Sequence, residues 1–222
     1  MPKVNQEYWE KKKNAILDSA LSVCNRKVIY DITMKDISQE CKISIGGIYK
    51  FYNDIDELLT SLLNRSYKQI AENNKFCHAR IKDIFNVNKD PKEQIEKICE
   101  FVGDYIVEST NVYGKMIFEF TTTLTINGGR LENIQKHLNI RSATQSFIKQ
   151  VYRFVEYHVN KGNFKPAIEI KEFYYTVFSV YNQVIRQTNL QSHYNILEYG
   201  EVIDPKDQMK KLSKTIFCLL GI

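Results

Sequence analysis

Residue type and spacing point most directly to chemistry in the segment Thr33 to Tyr52, TMKDISQECKISIGGIYKFY. Thr33 and Ser44 are N-cap residue types, each opening a short helix, with Cys41-Lys42-Ile43 as the join between them. Two short helices so joined have the dimensions of a helix-turn-helix, whose second helix enters the major groove of DNA. Ile37, Ile43 and Ile48 are spaced to pack the pair together, and Ser44, Gly46 and Gly47 keep the start of the second helix small. A glycine in a helix costs about 1 kcal/mol relative to alanine. Close approach of the backbone to phosphates or base edges is a physical reason to omit the side chains. On this reading Thr33, Ser44 and Tyr49 face phosphates and Lys35 adds positive charge. Ile45, Gly46, Gly47 and Lys50 then lie near base edges. Spacing alone leaves a second reading open, in which Gly46-Gly47 is a turn between two bundle helices.

Other chemistries find little support. The chain has no GxSxG, P-loop, GxGxxG or HExxH pattern, so no enzymatic activity and no cofactor are expected. His158 stands near Glu156, a pairing more typical of a surface or pocket than of an acid–base couple. Asn64-Arg65-Ser66 fits a glycosylation sequon that has no meaning in a cytosolic chain. The five cysteines (Cys24, Cys41, Cys77, Cys99, Cys218) form no CxxC pair, which suits reduced, mostly buried thiols. Of the four histidines (His78, His137, His158, His193) only His78 adjoins a cysteine. Neighbours on a helix point about 100° apart, so Cys77-His78 makes a poor chelate and no metal is expected.

Composition bounds the setting. A chain of 222 residues with 43% hydrophobic and 26% charged residues can bury a sizeable core as one large or two small domains. No apolar run approaches the ~20 residues of a membrane span, and the polar start lacks a signal-peptide core. A cytoplasmic location is expected. The net charge is +5 and its excess is uneven: residues 1–53 hold nine Lys/Arg against six Asp/Glu, and the other 169 hold 22 against 20. That concentration suits a DNA-facing N-terminal part, although Lys11, Lys12 and Lys13 also read as a solvated helix end.

The elements that must position this segment are helical. Nine glycines and four prolines are too few for a β-sandwich or barrel. A first helix covers about Gln6 to Asn25, with Ala15, Ile16, Ala20, Leu21, Val23 and Cys24 as its apolar face. After the Thr33 helix to Glu40 and the Ser44 helix to Phe51, Asp54-Ile55-Asp56-Glu57 reads as a capping box. It opens a fourth helix to about Asn74 with Leu58, Leu59, Leu62, Leu63, Tyr67 and Ile70 on one stripe. Longer helices are predicted at about 91–109, 115–125 (ended by Asn127-Gly128-Gly129), 131–161, 169–191 and 205–220. Asp90-Pro91 and Asp204-Pro205 supply start signals, and Gly162 a stop.

Residues 10 to 70 resemble the DNA-binding domain of the TetR (tetracycline-repressor-like) transcriptional regulators. The resemblance is carried by Thr33-Met34-Lys35-Asp36-Ile37, Cys41, Ile43-Ser44, Gly46, Ile48-Tyr49, Tyr52 and Glu57-Leu58-Leu59. Five positions depart from the pattern. The aromatic and glycine closing the first helix fall at Cys24 and Val28, and the turn glycine falls at Lys42. A basic residue before Gly46 is replaced by Ile45, and the lysine opening the fourth helix by Ile55. Lys11 to Lys13, Lys35, Lys42 and Lys50 would then supply the electrostatics.

The resemblance implies an all-α protein in two parts: a three-helix DNA-binding domain at residues 1–55, with its motif at 33–52, and a helical ligand-binding and dimerisation domain at 56–222. It further implies a homodimeric regulator, most simply a repressor, reading a pseudo-palindromic operator in double-stranded DNA and released by a small effector. The density of aromatics favours an apolar or amphipathic effector over a phosphorylated metabolite, with Tyr105, Phe118, Glu119, Phe154, His158, Phe178 and Asn182 as candidate lining. Gln150 is a further polar candidate. The last two helices, with Val177, Val180 and Val184 on one and Phe217 and Leu220 on the other, are the candidate dimer interface. The alternative is a helical ligand-binding or protein-interaction module that does not bind DNA; a helical-bundle enzyme is more distant.

Overall fold

A computed structural model describes residues 6–73, 84–85, 89–110, 112–126, 138, 143–198 and 200–222. Among them are nine α-helices, a short 3-10 turn and no strand, so the chain is all-α as its sequence implies. The helices are α1 (Gln6–Arg26), α2 (Met34–Cys41), α3 (Ile45–Ile48), α4 (Ile55–Asn73), α5 (Pro91–Ser109), α6 (Val112–Ile126), α7 (Ala143–Asn160), α8 (Ile170–Tyr194) and α9 (Pro205–Leu220). None is long and apolar enough to cross a membrane. The predicted stop Asn127-Gly128-Gly129, the start of the helix predicted from 131, and Cys77, His78 and His137 lie outside the described residues.

The chain forms two compact units: residues 1–70 with 111–140, and residues 71–110 with 141–222. This division differs from a boundary at residue 55, for two reasons. Helix α4 buries Leu58, Leu59, Leu62 and Leu63 in the same core as Ile16, Ala20, Ile37 and Ile48. Helix α6 then adds Met116 and Phe120 to that core, with Leu138 packed against it.

In the first unit, α1 buries Ile16, Leu17, Ala20, Val23 and Cys24. Leu17 takes the place predicted for Ala15, which is exposed. Where the family pattern has an aromatic-Gly turn, a 3-10 turn at Ile29–Asp31 follows α1 and buries Ile29. Helix α2 starts in a capping box, with Thr33 accepting from the Asp36 N–H and Asp36 accepting from the Thr33 N–H. The predicted two-turn helix from Ser44 is one α turn, Ile45–Ile48, prolonged by Phe51 and Tyr52 N–H groups bonding the Ile48 carbonyl. At the head of α4, Asp54 accepts from the Glu57 N–H at 2.7 Å. Glu57 reaches back to the Asn53 N–H, also 2.7 Å, one residue earlier than a standard capping box.

The second unit is organised on α5 and α9. The two approach closely at Gly103, where an added Cβ would stand 3.0 Å from the Lys206 Cα. The Asp104–Lys206 ion pair (2.8 Å) flanks that point. Asp90 and Asp204 cap the two helices, each with proline at the first helical positions. Leu220 and Leu219 carbonyls accept from Lys165 and Ala167 N–H groups, tying the end of α9 to the segment after α7. Phe217, Leu220 and Val184, predicted at a dimer interface, belong instead to this unit's own core. Their apolar periodicity marks a face buried within the unit's own core. Val180 (38% exposed) and Tyr175 (65%) remain outward on α8.

Candidate nucleic-acid interface

The helix-turn-helix is built by local hydrogen bonds around one strained residue. Lys42 closes α2 with φ 54° and ψ 33°, the left-handed conformation that the missing turn glycine would adopt freely. The Ser38 hydroxyl donates to the Ile43 carbonyl (2.7 Å), fixing the turn, and Ser44 Oγ accepts from the Gly47 N–H (3.2 Å). Ile37 and Ile48 are fully buried beneath, so α3 has one face fixed and one outward.

The residues singled out by sequence lie at the start of α2 (Thr33, Lys35) and on or beside α3 (Ser44, Ile45, Gly46, Gly47, Tyr49, Lys50). Thr33, Lys35, Ser44, Ile45, Gly46, Tyr49 and Lys50 are all exposed, with Ile45 at 39% and Tyr49 at 50%. Gly47 is half-buried, and the two glycines are not equivalent. A Cβ on Gly46 would meet no heavy atom within 4 Å, whereas one on Gly47 would stand 2.7 Å from Ile43 Cγ2. At Gly47 the turn itself therefore leaves no room for a side chain, a second reason for glycine there beside close approach to a partner; at Gly46 the turn imposes no such limit.

Electrostatics around the face are uneven. Lys35, Lys42 and Lys50 are exposed. Lys11 instead pairs with Glu7 (2.9 Å), Lys12 lies over the Tyr8 ring and Lys13 over the Tyr52 ring. Asp36, bonded by Lys27 and Thr33, has its carboxyl pulled down to about 2, so the capping box stays charged in all but strong acid. Sequence reasoning missed Trp9, which packs against Phe51 in a tilted ring contact, 4.9 Å between centroids, and ties α1 to the end of the α3 turn. Its only signal was the chain's single tryptophan.

The candidate effector-lining residues fall in both units. Phe118 and Glu119 are in the first, where Glu119 is engaged by Lys115 (2.9 Å) and the Ile29 N–H (2.8 Å). Tyr105, Phe154, His158, Phe178 and Asn182 are in the second. Phe154 and His158 come together at 4.6 Å, within an aromatic group that includes Phe85, Phe147 and Phe164. Phe178 lies 6.1 Å from Tyr152, Tyr105 and Gln150 are half-buried, and Asn182 is exposed. His158 is buried, accepts at Nδ1 from the Asn163 amide in its neutral form, and has its pKa lowered by burial. Burial also pushes the Cys24 and Cys99 thiols up to about 12. Among the described residues no group of three or more His, Cys, Asp or Glu is placed to hold a metal.

No family profile matches the chain. It is 22% identical over 166 residues to an uncharacterised HTH-type transcriptional regulator, YfiR, of Bacillus subtilis (strain 168), covering 75% of this chain and 74% of that protein. A TetR transcription regulator from Haloarcula marismortui superposes with a TM-score of 0.58 at 9% identity, over 96% of this chain and 97% of the other. AibR, solved with isovaleryl coenzyme A and operator DNA, superposes at 0.57 with 13% identity, over 92% and 97%. The chain thus has the fold of the TetR-family transcriptional regulators over nearly its whole length.

Proposed function

We propose that the protein is a sequence-specific DNA-binding regulator, acting as a homodimeric repressor that a small amphipathic molecule releases from its operator. The observation that carries this is the outward face of α3, where Gly46 faces open space between exposed Ile45, Tyr49 and Lys50. A helix built only to pack in a bundle has no need of a bare backbone on its solvent side. The fold shared with AibR supports the reading, since that protein was solved on operator DNA.

The effector is assigned to the aromatic group around Phe154 and His158 in the second unit. The isovaleryl coenzyme A bound by AibR makes acyl-coenzyme A thioesters the first class to try. Helix α4 starts within the first unit and runs past residue 70, so it is the element proposed to carry the response. Only an effector with different affinities for the two states shifts DNA binding, by about 5- to 150-fold for typical couplings. Dimerisation is assigned to α8 and α9, through the outward side that includes Tyr175 and Val180.

Fluorescence anisotropy with DNA from upstream of the protein's own gene, against a scrambled duplex at fixed salt, tests the DNA reading. Preference for the upstream DNA by tenfold or more is the expected result. Equal, weak binding to both would favour the alternative, a helical module that binds no operator. Isovaleryl and longer acyl-coenzyme A compounds are then added to the bound complex, and release identifies the effector class.

A further inference from the structure

Helix α1 ends without a glycine turn, and its last backbone groups need partners. A helix leaves its final carbonyls unpaired, and the chain after it leaves N–H groups unpaired too. Here two side chains from α6, 88 to 91 residues away in sequence, provide the partners. Lys115 Nζ donates to the Cys24 carbonyl (2.7 Å) and the Lys27 carbonyl (3.2 Å). Its third partner is Glu119 at 2.9 Å. The second oxygen of Glu119 accepts from the Ile29 N–H (2.8 Å) in the 3-10 turn. The side chains are 10% and 3% exposed, so both charges are buried and both are satisfied within the cluster.

The turn they hold is bonded onward to the DNA-facing segment. Lys27, whose carbonyl Lys115 grips, donates from Nζ to Asp36 Oδ1 (2.8 Å), the carboxylate of the α2 capping box. One residue earlier, Arg26 pairs with Glu40 in the last turn of α2, and Ser22 donates to the same carboxylate (2.7 Å). The end of α1 is therefore fixed from one side by α6 and fixes α2 on the other. Because α3 follows α2 through the three-residue turn at Lys42, the direction of α3 depends on this joint.

We propose that Lys115 and Glu119 are positioning residues for DNA recognition, setting the angle at which the helix-turn-helix meets its operator without touching DNA. The proposal rests on the DNA-binding reading above. A buried ion pair replaced by apolar residues of similar size generally leaves a protein folded, whereas removing one partner strands the other. What the charged pair supplies beyond stability is direction, because its bonds go to three particular backbone groups.

The test is the double variant Lys115→Met/Glu119→Met in the full chain. Folding is followed by circular dichroism and thermal melting, and binding by anisotropy on operator and scrambled duplexes. The expected result is a folded protein whose preference for operator over scrambled DNA falls about tenfold, within the range mutations away from a binding site produce. Its salt slope on scrambled DNA stays unchanged, since no phosphate contact is lost. A merely structural pair would lower both affinities together, in step with the folded fraction. That result, or an unchanged preference in a folded variant, overturns the proposal. If the double variant does not fold, Glu119→Gln is judged by the same ratio. Wild-type protein that fails to prefer operator defeats the DNA-binding reading itself, and the two failures are thereby distinguished.

Discussion

The Cβ that Gly47 lacks would stand 2.7 Å from Ile43 Cγ2, in the turn that the same helix must follow. Gly46, one residue earlier, faces open space. Substitutions at the two glycines therefore report different things. Gly46→Glu is expected to keep its melting temperature and to lose operator binding by 100-fold or more, through bulk and negative charge against the groove. Gly47→Ala is expected to lose about 1–3 kcal/mol of stability from overpacking, read by urea denaturation. Normal operator affinity in Gly46→Glu would move the recognition surface away from α3.

Lys42 holds a left-handed backbone at a cost of roughly 1–2 kcal/mol for a residue with a Cβ. Lys42→Gly is expected to raise stability by about 0.5–1 kcal/mol, less than the full relief because glycine gains freedom in the unfolded chain. The lost charge should also lower DNA affinity and reduce the salt slope by about one. A rise in stability with an unchanged salt slope would show that the lysine reaches no phosphate.

Gly103 lies where α5 and α9 approach, with an added Cβ 3.0 Å from the Lys206 Cα. Gly103→Val must push the α9 backbone away and disturb the Asp104–Lys206 pair beside it. A loss of about 2–3 kcal/mol is expected, as for overpacked sites. Thermal melting checks it, and an unchanged midpoint would mean that the two helices separate freely.

Burial holds the His158 imidazole neutral and its pKa below the ordinary 6.5. The unfolded chain takes up its proton near 6.5, so below that pH it binds more protons than the native chain. Stability is then complete above pH 6.5 and falls as pH drops from there toward the native value, by at most about 1.4 kcal/mol per pH unit. His158→Gln should flatten the melting midpoint between pH 7 and 5.5 while lowering it throughout. Asp36 and Glu40, whose pKa values are also lowered, respond only below their ordinary 3.8 and 4.5, outside this window.

Caps and turns were legible in the sequence because each is a local event. Thr33, Ser44, Asp90 and Asp204 bond backbone groups two or three residues ahead, and residue type alone announces that. Counting against a family turn located Lys42 at the turn, where the structure gives it a left-handed backbone. The 3-10 turn after α1 and the burial of α6 beside it could not be read in the same way. Glu119 and Ile29 are 90 residues apart, and no local pattern pairs a mid-chain carboxylate with a distant N–H. Phe217 and Leu220 show a third kind of limit: period reveals that a helix face is covered, but not by what.

The first unit is discontinuous in sequence, since residues 111–140 return to it after the chain has left at Ile70. The simplest way to transplant a DNA reader onto a foreign sensor is one cut after the N-terminal helices. A single cut here would leave the places of Met116 and Phe120 vacant and the backbone at Cys24, Lys27 and Ile29 without its partners. On the proposed DNA-binding reading the portable reader is a two-piece object, and a chimera is expected to need α6 along with α1 to α4.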